Sequence, residues 1–307
     1  MLEQLLMGIF GQAGTGKSRV VNAIRTWFNR INREADLELI VTATTGTAAF
    51  GIHGTTLHSA LGIGVEEGER STRMGRQKFA EWSAPNQRYL IIDEVSIMSA
   101  KLMIQLHNKL CIAKSSPASV KFGGLNIIFL GDFLQLPCIS AYHLYTDKPM
   151  YQLGHTLWRS LNAVVILTEQ MRQIDDPLWA QILLRLRLRI PTDDDLRIIR
   201  SRIGAPISDS PHVPIITRRN ELRSKINNKM IHETSQRINK PVTYCVASVK
   251  SHSGMSIKSV YKLKYGAKNV LGDAVVPLLP GCPLMVTKNI DQTTGNFPSH
   301  IQVLTFI

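Results

Sequence analysis

GQAGTGKS, at residues 11–18, is the most informative segment of this chain. It matches the pattern G-x-x-x-x-G-K-[ST], in which glycines let the backbone curl so that successive N–H groups point at phosphates. The apolar run LLMGIF precedes the segment, and apolar residues recur at helical spacing after it. Because a loop of this type joins a strand to the start of a helix, the context predicts a phosphate-binding P-loop.

Two side chains of this loop are expected to carry its chemistry. Lys17 is expected to reach the β and γ phosphates of a nucleotide, and Ser18 to ligate Mg²⁺ through its hydroxyl. The predicted nucleotide-binding residues are Gly11, Gln12, Ala13, Gly14, Thr15, Gly16, Lys17 and Ser18.

The first part of the chain alternates short apolar runs with helical patterns, which predicts an α/β fold with a parallel sheet. The runs are rich in Ile, Leu and Val, as in strands that helices cover on both faces. A polar stretch at residues 64–83 is predicted as a surface excursion. The candidate strands are LLMGIF (5–10), LELIVTA (37–43), YLIIDE (89–94), LNIIFLGD (125–132) and AVVILTE (163–169).

Acidic side chains directly follow the run YLII. A P-loop needs a carboxylate from a neighbouring strand end, and Asp93 and Glu94 stand about 75 residues after the loop. Asp93 is expected to hold Mg²⁺ through water. Glu94 is expected to orient or deprotonate the attacking water.

Two further segments end predicted strands. FLGDFLQLP places Asp132 and Gln135 at the carboxyl edge of the sheet, where open α/β sheets bind ligands. Gln135 is expected to sense the γ-phosphate or to position water. TEQMRQ places Arg172 after another strand, either as an arginine finger from a second domain or, equally, as a salt-bridged surface arginine.

The segment ATTGTAA, at residues 43–49, ends a strand in a cluster of Thr and Gly. Such a cluster can offer hydroxyl and backbone N–H groups to a sugar-phosphate backbone. An ordinary turn from strand to helix explains the same letters equally well.

Composition bounds the class of protein. With 307 residues, of which 44% are hydrophobic and 19% charged, one large or two medium globular domains are expected. No apolar run approaches the ~20 residues of a membrane span, and the start lacks the basic region and cleavage site of a signal peptide. Four cysteines without a CxxC pair indicate neither zinc nor disulfides, which favours an intracellular over a secreted protein.

The pattern changes after Thr168, and a domain boundary is predicted near residue 166. A P-loop domain then spans residues 1–166 and a second domain spans residues 167–307. The second part is expected to begin with a helix through Leu178–Leu186, a short helix over 192–203, and a strand that turns into a helix within 213–233.

Most of the net charge of +13 lies in this second part. Between residues 211 and 270, twelve Lys or Arg oppose Glu221 and Glu233, giving a local charge of +10. Such a basic block suits a polyanion, although a solvated basic face accounts for it equally. Its members are Arg218, Arg219, Arg223, Lys225, Lys229, Arg237, Lys240, Lys250, Lys258, Lys262, Lys264 and Lys268.

Taken in order, six segments resemble the motif series of the Pif-type (petite-integration-frequency) helicases of helicase superfamily one. The resemblance runs from about Gly8 to Asp291. The segments are GQAGTGKS (11–18), ATTGTAAFGIHGTTLHSALGI (43–63), LIIDEVSIMS (90–99), IIFLGDFLQLP (127–137), LTEQMRQ (167–173) and LLPGCPLMVTKNID (278–291).

The resemblance implies an ATP-driven motor of two RecA-like domains with parallel sheets, requiring ATP and Mg²⁺. Such motors move along single-stranded DNA, usually 5′ to 3′, and separate duplex or structured DNA. Roles in DNA repair, recombination or telomere maintenance follow, in the nucleus or the mitochondrion of a eukaryote.

The resemblance also implies roles for individual residues. Gln135 would couple nucleotide state to DNA, and Arg172 looks like the family's motif-four arginine. Thr45, Gly46 and His58 match positions whose segments line the DNA track.

Three departures from the family pattern qualify these expectations. The family's glutamine-containing segment, which helps recognise adenine, is absent before the P-loop. Cys138 replaces the second proline of the GDFLQLPP-like motif. The late HKSQG-type motif and a further arginine are absent after TKNID, so the second domain is expected to be incomplete.

These departures leave a second function open. The chain is expected to be a DNA helicase, or alternatively a truncated, nucleotide-dependent DNA-binding remnant that does not unwind DNA. A GTPase or small-molecule kinase is disfavoured, because no NKxD segment is present to recognise guanine.

Overall fold

The computed structural model describes residues 3–31, 38–63, 76–138, 142–146, 148–206, 215–246 and 275–282. The chain divides into two compact units, Met1–Arg200 and Ser201–Ile307. The boundary predicted at residue 166 therefore falls inside the first unit.

A single six-stranded sheet organises the first unit, with the order β3-β2-β4-β5-β1-β6. Every pairing in it is parallel, and all five strands predicted from sequence are confirmed. The strands are β1 (Leu6–Gly11), β2 (Leu39–Ala43), β3 (Thr55–Thr56), β4 (Tyr89–Asp93), β5 (Asn126–Gly131) and β6 (Ala163–Leu167).

Helices connect these strands, as parallel pairing requires. The helix predicted to open at the P-loop is confirmed as α1. The helices of the first unit are α1 (Lys17–Ile31), α2 (Gly46–Gly51), α3 (Leu57–Leu61), α4 (Arg76–Ser83), α5 (Ala100–Ala113), α6 (Gln152–Arg159), α7 (Pro177–Arg187) and α8 (Asp193–Arg200). Short 3₁₀ turns occupy Val95–Ile97, Lys121–Gly124 and Pro149–Tyr151.

The sheet carries a separate hydrophobic core on each face, because successive strand residues point to opposite sides. On one face, Leu90 and Phe129 pack in the same cluster as Leu106 of α5. On the other, Ile91 and Ile128 share a cluster that includes Val21 and Phe28 of α1. The inner strands of the sheet are therefore packed on both faces.

The surface excursion expected at residues 64–83 holds for most of the described residues but fails at Trp82. The stretch 64–83 is predicted as a surface excursion, but its end forms α4, and Trp82 is only 1% exposed. The indole nitrogen of Trp82 donates a hydrogen bond to the Ala60 carbonyl at 3.0 Å. The ring is buried although its sequence neighbours are polar, because its burial removes a large apolar area from water. Residues 64–75 lie outside the described part.

The strand β6 is also not covered on both faces. It is the last strand in the sheet order, and Val164, Val165 and Ile166 are 57%, 41% and 60% exposed. The apolar residues of β6 predict the strand correctly, but they do not predict that it is exposed to solvent.

The second unit is described for residues 201–206, 215–246 and 275–282. It contains the helix α9 (Asn220–Ile238) and an antiparallel pair of strands, β7 (Thr243–Val246) and β8 (Val275–Leu278). The predicted helix is therefore present. The strand predicted before α9 is not seen among the described residues 215–217. The two described strands, β7 and β8, are antiparallel, whereas a parallel sheet is expected.

Much of the basic block lies outside the described residues, from Lys250 to Lys268. So does most of the segment 278–291. None of the helices described here has the length and apolarity that crossing a membrane requires.

Candidate nucleotide-binding site

The predicted site residues of the first unit all lie at one edge of the sheet. Each follows or ends a strand at its carboxyl end, and because the strands are parallel these ends share an edge. The P-loop follows β1, Asp93 ends β4 and Glu94 follows it, Asp132 and Gln135 follow β5, Arg172 follows β6, Thr45 and Gly46 follow β2, and His58 follows β3.

The P-loop is held in shape by its own backbone. Gly14 and Gly16 have φ angles of 88° and 89°, in a region that side chains with a Cβ rarely adopt. The Thr15 hydroxyl is buried and donates to the Gln12 carbonyl at 2.9 Å. These two glycines and this hydrogen bond therefore define the shape of the loop.

Lys17 folds back over this loop. Its Nζ donates to the carbonyls of Gly11 at 2.7 Å and Gln12 at 3.1 Å. Burial lowers the pKa of Lys17, while the nearby carboxylates of Asp132, Asp93 and Glu94 oppose the shift. Lys17 is a half-buried cation, and it can exchange its carbonyl partners for phosphate oxygens, to which it would donate charge-assisted hydrogen bonds.

Asp93 and Glu94 reach this edge from β4. The prediction that their strand neighbours the P-loop strand is wrong, because β5 lies between β4 and β1. Burial raises the pKa of Asp93. Burial and the adjacent Asp93 charge raise the pKa of Glu94 as well. A raised pKa suits a group that accepts a proton from water.

The backbone of Glu94 is strained. It adopts the left-handed conformation, with φ 56° and ψ 44°, and its N–H donates to Asp93 Oδ1 at 2.8 Å. Thr44 supports it from β2, since its hydroxyl donates to the Glu94 carbonyl at 2.8 Å. The Thr44 N–H donates to the Asp93 carbonyl at 3.2 Å. Residues held in sparsely populated conformations cluster at active sites, where surrounding contacts maintain them.

Asp132 and Gln135 form a linked group with a residue that the sequence did not indicate. Gln135 Nε2 donates to Asp132 Oδ2 at 3.0 Å. Arg187, the last residue of α7, makes a two-pronged ion pair with the same carboxylate. Burial alone would raise the pKa of Asp132, but hydrogen bonds from Arg187, Leu134 and Gln135 hold it below its usual value.

The segment containing Arg172 packs on the P-loop. Gln170 Nε2 donates to the Ala13 carbonyl at 2.7 Å, and the Met171 N–H donates to the Gly14 carbonyl at 2.9 Å. Arg172 is exposed and lies within the compact unit Met1–Arg200. Its role at the γ-phosphate stays a prediction, and Gln170 is a loop contact that the sequence did not indicate.

These contacts predict the effect of Gly14→Ala. A Cβ at Gly14 would lie 2.0 Å from Gln170 Oε1 and 2.8 Å from the Arg172 Cβ, at a φ of +88°. We expect the variant to lose about 1–3 kcal/mol of folding stability and to bind nucleotide more weakly. Thermal unfolding and a fluorescent-nucleotide titration measure both. Gly51→Ala is the control, because no atom lies within 4 Å of its added Cβ; equal losses in both variants would contradict the prediction.

The predicted DNA contacts lie farther along the same edge. Thr45 caps α2, and its hydroxyl accepts from the Ala48 N–H at 3.3 Å. No atom lies within 4 Å of a Cβ placed on Gly46, so its backbone is open to a ligand. Burial lowers the pKa of half-buried His58 below its usual value. Contact of these residues with DNA stays a prediction.

The residues at this edge fit a nucleotide with Mg²⁺. Asp93 supplies a carboxylate and exposed Ser18 a hydroxyl, both of them the oxygen ligands that Mg²⁺ prefers. Among the described residues no cluster of three His, Cys, Asp or Glu forms a complete metal site.

The same charges predict the effect of Asp93→Asn on the free protein. A raised pKa means that the folded chain binds the proton more tightly than the unfolded chain, so stability falls as pH rises from about 4 through the raised pKa. We expect Asp93→Asn to raise Tm at pH 7, by about 2–4 °C for each kcal/mol gained. Near pH 4 the difference from the wild-type chain should shrink, and a lower Tm at pH 7 would contradict the prediction.

A P-loop after the first strand of a parallel sheet, with Asp-Glu and Gln on other strand ends, defines a P-loop nucleoside triphosphatase of the RecA-like type. Residues 3–181 match the family model described as PIF1-like helicase. The chain therefore belongs to the PIF1-like helicase family.

Individual relatives agree with this assignment. The ATP-dependent DNA helicase PIF1 of Saccharomyces cerevisiae is 27% identical, over 93% of this chain and 32% of the yeast protein. The crystal structure of Candida albicans Pif1 is 25% identical with a TM-score of 0.70, covering 94% of this chain and 62% of that one. Bacteroides Pif1 bound to single-stranded DNA shares the fold, with a TM-score of 0.63 at 21% identity over 93% of this chain and 62% of that one. The chain spans roughly a quarter to a third of the length of the first curated relatives.

Proposed function

We propose that this chain is the ATPase motor of a DNA helicase, which hydrolyses ATP to move along single-stranded DNA, 5′ to 3′, and to unwind duplex or structured DNA. The convergence of Lys17, Asp93, Glu94 and Gln135 at one sheet edge carries the proposal. The family's members are named ATP-dependent DNA helicases, which supports DNA as the substrate.

The residues at the edge divide the chemistry between them. Lys17 binds the β and γ phosphates, and Glu94 orients the attacking water and accepts its proton. Gln135 contacts that water or the γ-phosphate, and Arg172 neutralises charge on the transferred group. Mg²⁺, held by Ser18 and Asp93, supplies further positive charge against the phosphates.

DNA is proposed to run past the carboxyl ends of β2 and β3. The register pairs Ala43 with Thr56, so the segments that follow these two residues start side by side. Thr45 and Gly46 follow one strand and His58 follows the other. Thr44 donates hydrogen bonds to the carbonyls of Asp93 and Glu94, so a force applied by DNA at the adjacent Thr45 has a short path to the hydrolytic site.

The cellular role proposed is DNA repair, recombination or telomere maintenance, inside the cell and in the nucleus or mitochondrion of a eukaryote. The family membership supports this role, and the basic block supports a polyanionic partner.

The test is ATP turnover by the purified chain with and without a single-stranded oligonucleotide, followed by unwinding of forked duplexes with either a 5′ or a 3′ tail. We expect turnover that rises with DNA, and unwinding only from the 5′ tail. DNA affinity should fall steeply with salt, since a single strand gives a log–log slope of about −0.7 for each phosphate neutralised.

Other outcomes would favour the alternatives. If the wild-type chain hydrolysed ATP no faster than Glu94→Gln and still bound DNA, the chain would be the DNA-binding remnant and not a helicase. Hydrolysis of GTP but not ATP would refute the helicase assignment. Salt-independent DNA affinity would contradict the role of the basic block.

A further inference from the structure

The carboxylate of Asp132 is shared by three donors. It is 3% exposed and follows β5 at the phosphate edge. Oδ1 accepts the Leu134 N–H at 3.1 Å, and Oδ2 accepts Gln135 Nε2 at 3.0 Å. Both oxygens also accept from the guanidinium of Arg187. Asp132 therefore links helix α7 directly to the side chain of Gln135.

This link fixes the amide of Gln135. Because its NH₂ group donates to Asp132, its carbonyl oxygen is the end that can accept a hydrogen bond from water. The Gln135 N–H also donates to the Asp132 carbonyl at 2.9 Å, so side chain and backbone are tied to one residue. The amide cannot turn over without breaking the bond to Asp132.

Arg187 in turn fixes Asp132. A guanidinium that binds a carboxylate with two parallel N–H groups sets its orientation as well as its position. The side chains of Arg187 and Asp132 are 21% and 2% exposed, so the pair is largely screened from water. Without Arg187, the buried carboxylate would lose its main counter-charge and seek another partner.

We propose that Arg187 is a positioning residue, which through Asp132 fixes the amide of Gln135 at the phosphate edge. A movement of α7 is thereby transmitted to the group that contacts water or the γ-phosphate. The kinetic consequence rests on the proposed function, whereas the structural consequence for Gln135 does not.

The same helix offers a matched control. Arg185 also makes a two-pronged ion pair, with Asp195 Oδ2 and Oδ1 at 2.7 Å each, and the side chains are 28% and 3% exposed. Asp195 Oδ2 also accepts the Thr192 N–H at 2.9 Å. This pair connects α7 to α8 rather than to the phosphate edge, so its loss should affect folding without moving Gln135.

The first measurement is hydrogen–deuterium exchange of the free chain over residues 132–136. We expect Arg187→Gln to speed exchange of the Leu134 and Gln135 amides about tenfold or more, as loss of a charged hydrogen bond implies. Arg185→Gln should leave these amides unchanged. Arg187→Lys keeps the positive charge but loses the planar guanidinium, so it should increase the exchange rate by an intermediate amount. This variant replaces Arg187→Gln in the test if Arg187→Gln does not fold.

The second measurement is ATP turnover in the presence of single-stranded DNA. Arg187→Gln should lower kcat about 10- to 100-fold while KM for ATP changes less than about threefold, because a positioned group acts mainly in the transition state. Arg185→Gln should keep the wild-type kcat. Adding Gln135→Ala to Arg187→Gln should lower kcat little further, since residues that act as one unit are not additive.

The outcomes separate this proposal from the proposed function. Equal exchange over residues 132–136 in the Arg187 and Arg185 variants would overturn the positioning role, whatever the enzyme's activity. Fully multiplicative losses in the double variant would also overturn it, because Arg187 would then act independently of Gln135. A wild-type chain that hydrolyses no ATP, with exchange raised only in the Arg187 variants, would refute the proposed function and leave the positioning role standing.

Discussion

Replacing Lys17 with alanine should reduce ATP turnover by roughly 10²–10³-fold or more, while the chain stays folded. Lys17 is the cation of the P-loop, and its ammonium lies near Asp132, Asp93 and Glu94. Without it, a triphosphate would meet three carboxylates with far less positive charge to offset them. Nucleotide binding and turnover should therefore both fall.

The folded state should tolerate this change. Burial lowers the pKa of Lys17, so its charge is already held at a cost in the free chain. Alanine also favours the start of α1, where Lys17 stands. Thermal unfolding without nucleotide checks this point, with Lys101→Ala on the exposed face of α5 as the control. A collapse of Tm in the Lys17 variant alone would show a structural role instead.

Glu94→Gln should lower turnover by about 10²–10⁴-fold, the usual contribution of a general base, and leave nucleotide binding nearly intact. Glutamine has the shape of glutamate, but it cannot accept a proton from water at neutral pH. Burial and the Asp93 charge raise the pKa of Glu94, which improves it as a base and is lost in the variant.

Single-turnover hydrolysis and a nucleotide titration separate the two effects. Glu81→Gln, on the exposed face of α4, removes a carboxylate away from the sheet edge and should change neither quantity. If Glu94→Gln weakened binding as much as turnover, Glu94 would act on the bound nucleotide rather than on water.

The parts of this molecule that the sequence predicts are those with local causes. The strands of the main sheet follow from runs such as YLII and NIIFL, whose residues are buried on both faces. The P-loop is predicted by eight adjacent residues, and its backbone geometry depends on Gly14 and Gly16. Resemblance to the family then adds the order of the motifs.

The parts that it does not predict depend on residues far apart in the chain. Gln170 meets Ala13 across 157 residues, and Arg187 meets Asp132 across 55. Nothing in the sequence pairs Gln170 with Ala13 or Arg187 with Asp132, although Gln170 lies in the segment LTEQMRQ. The insertion of β5 between β4 and β1 is likewise a property of the whole sheet.

The domain boundary near residue 166 stays a prediction. The compact unit Met1–Arg200 extends past it through α7 and α8. Two ion pairs lie in this stretch, from Arg187 to Asp132 and from Arg185 to Asp195. Ion pairs leave no periodic signal in a sequence, so the hydrophobic pattern alone does not predict them.

The left-handed backbone of Glu94 has a consequence for how this chain can evolve. For a residue with a Cβ this conformation costs about 1–2 kcal/mol of folding free energy, whereas glycine adopts it freely. Selection for stability alone should therefore favour glycine at this position, and only selection for hydrolysis should retain glutamate. In a pool of random variants chosen solely for resistance to heat, we expect glycine to accumulate there. If Glu94 acts as the proposed base, an acidic residue at this position indicates that a lineage is still under selection for hydrolysis.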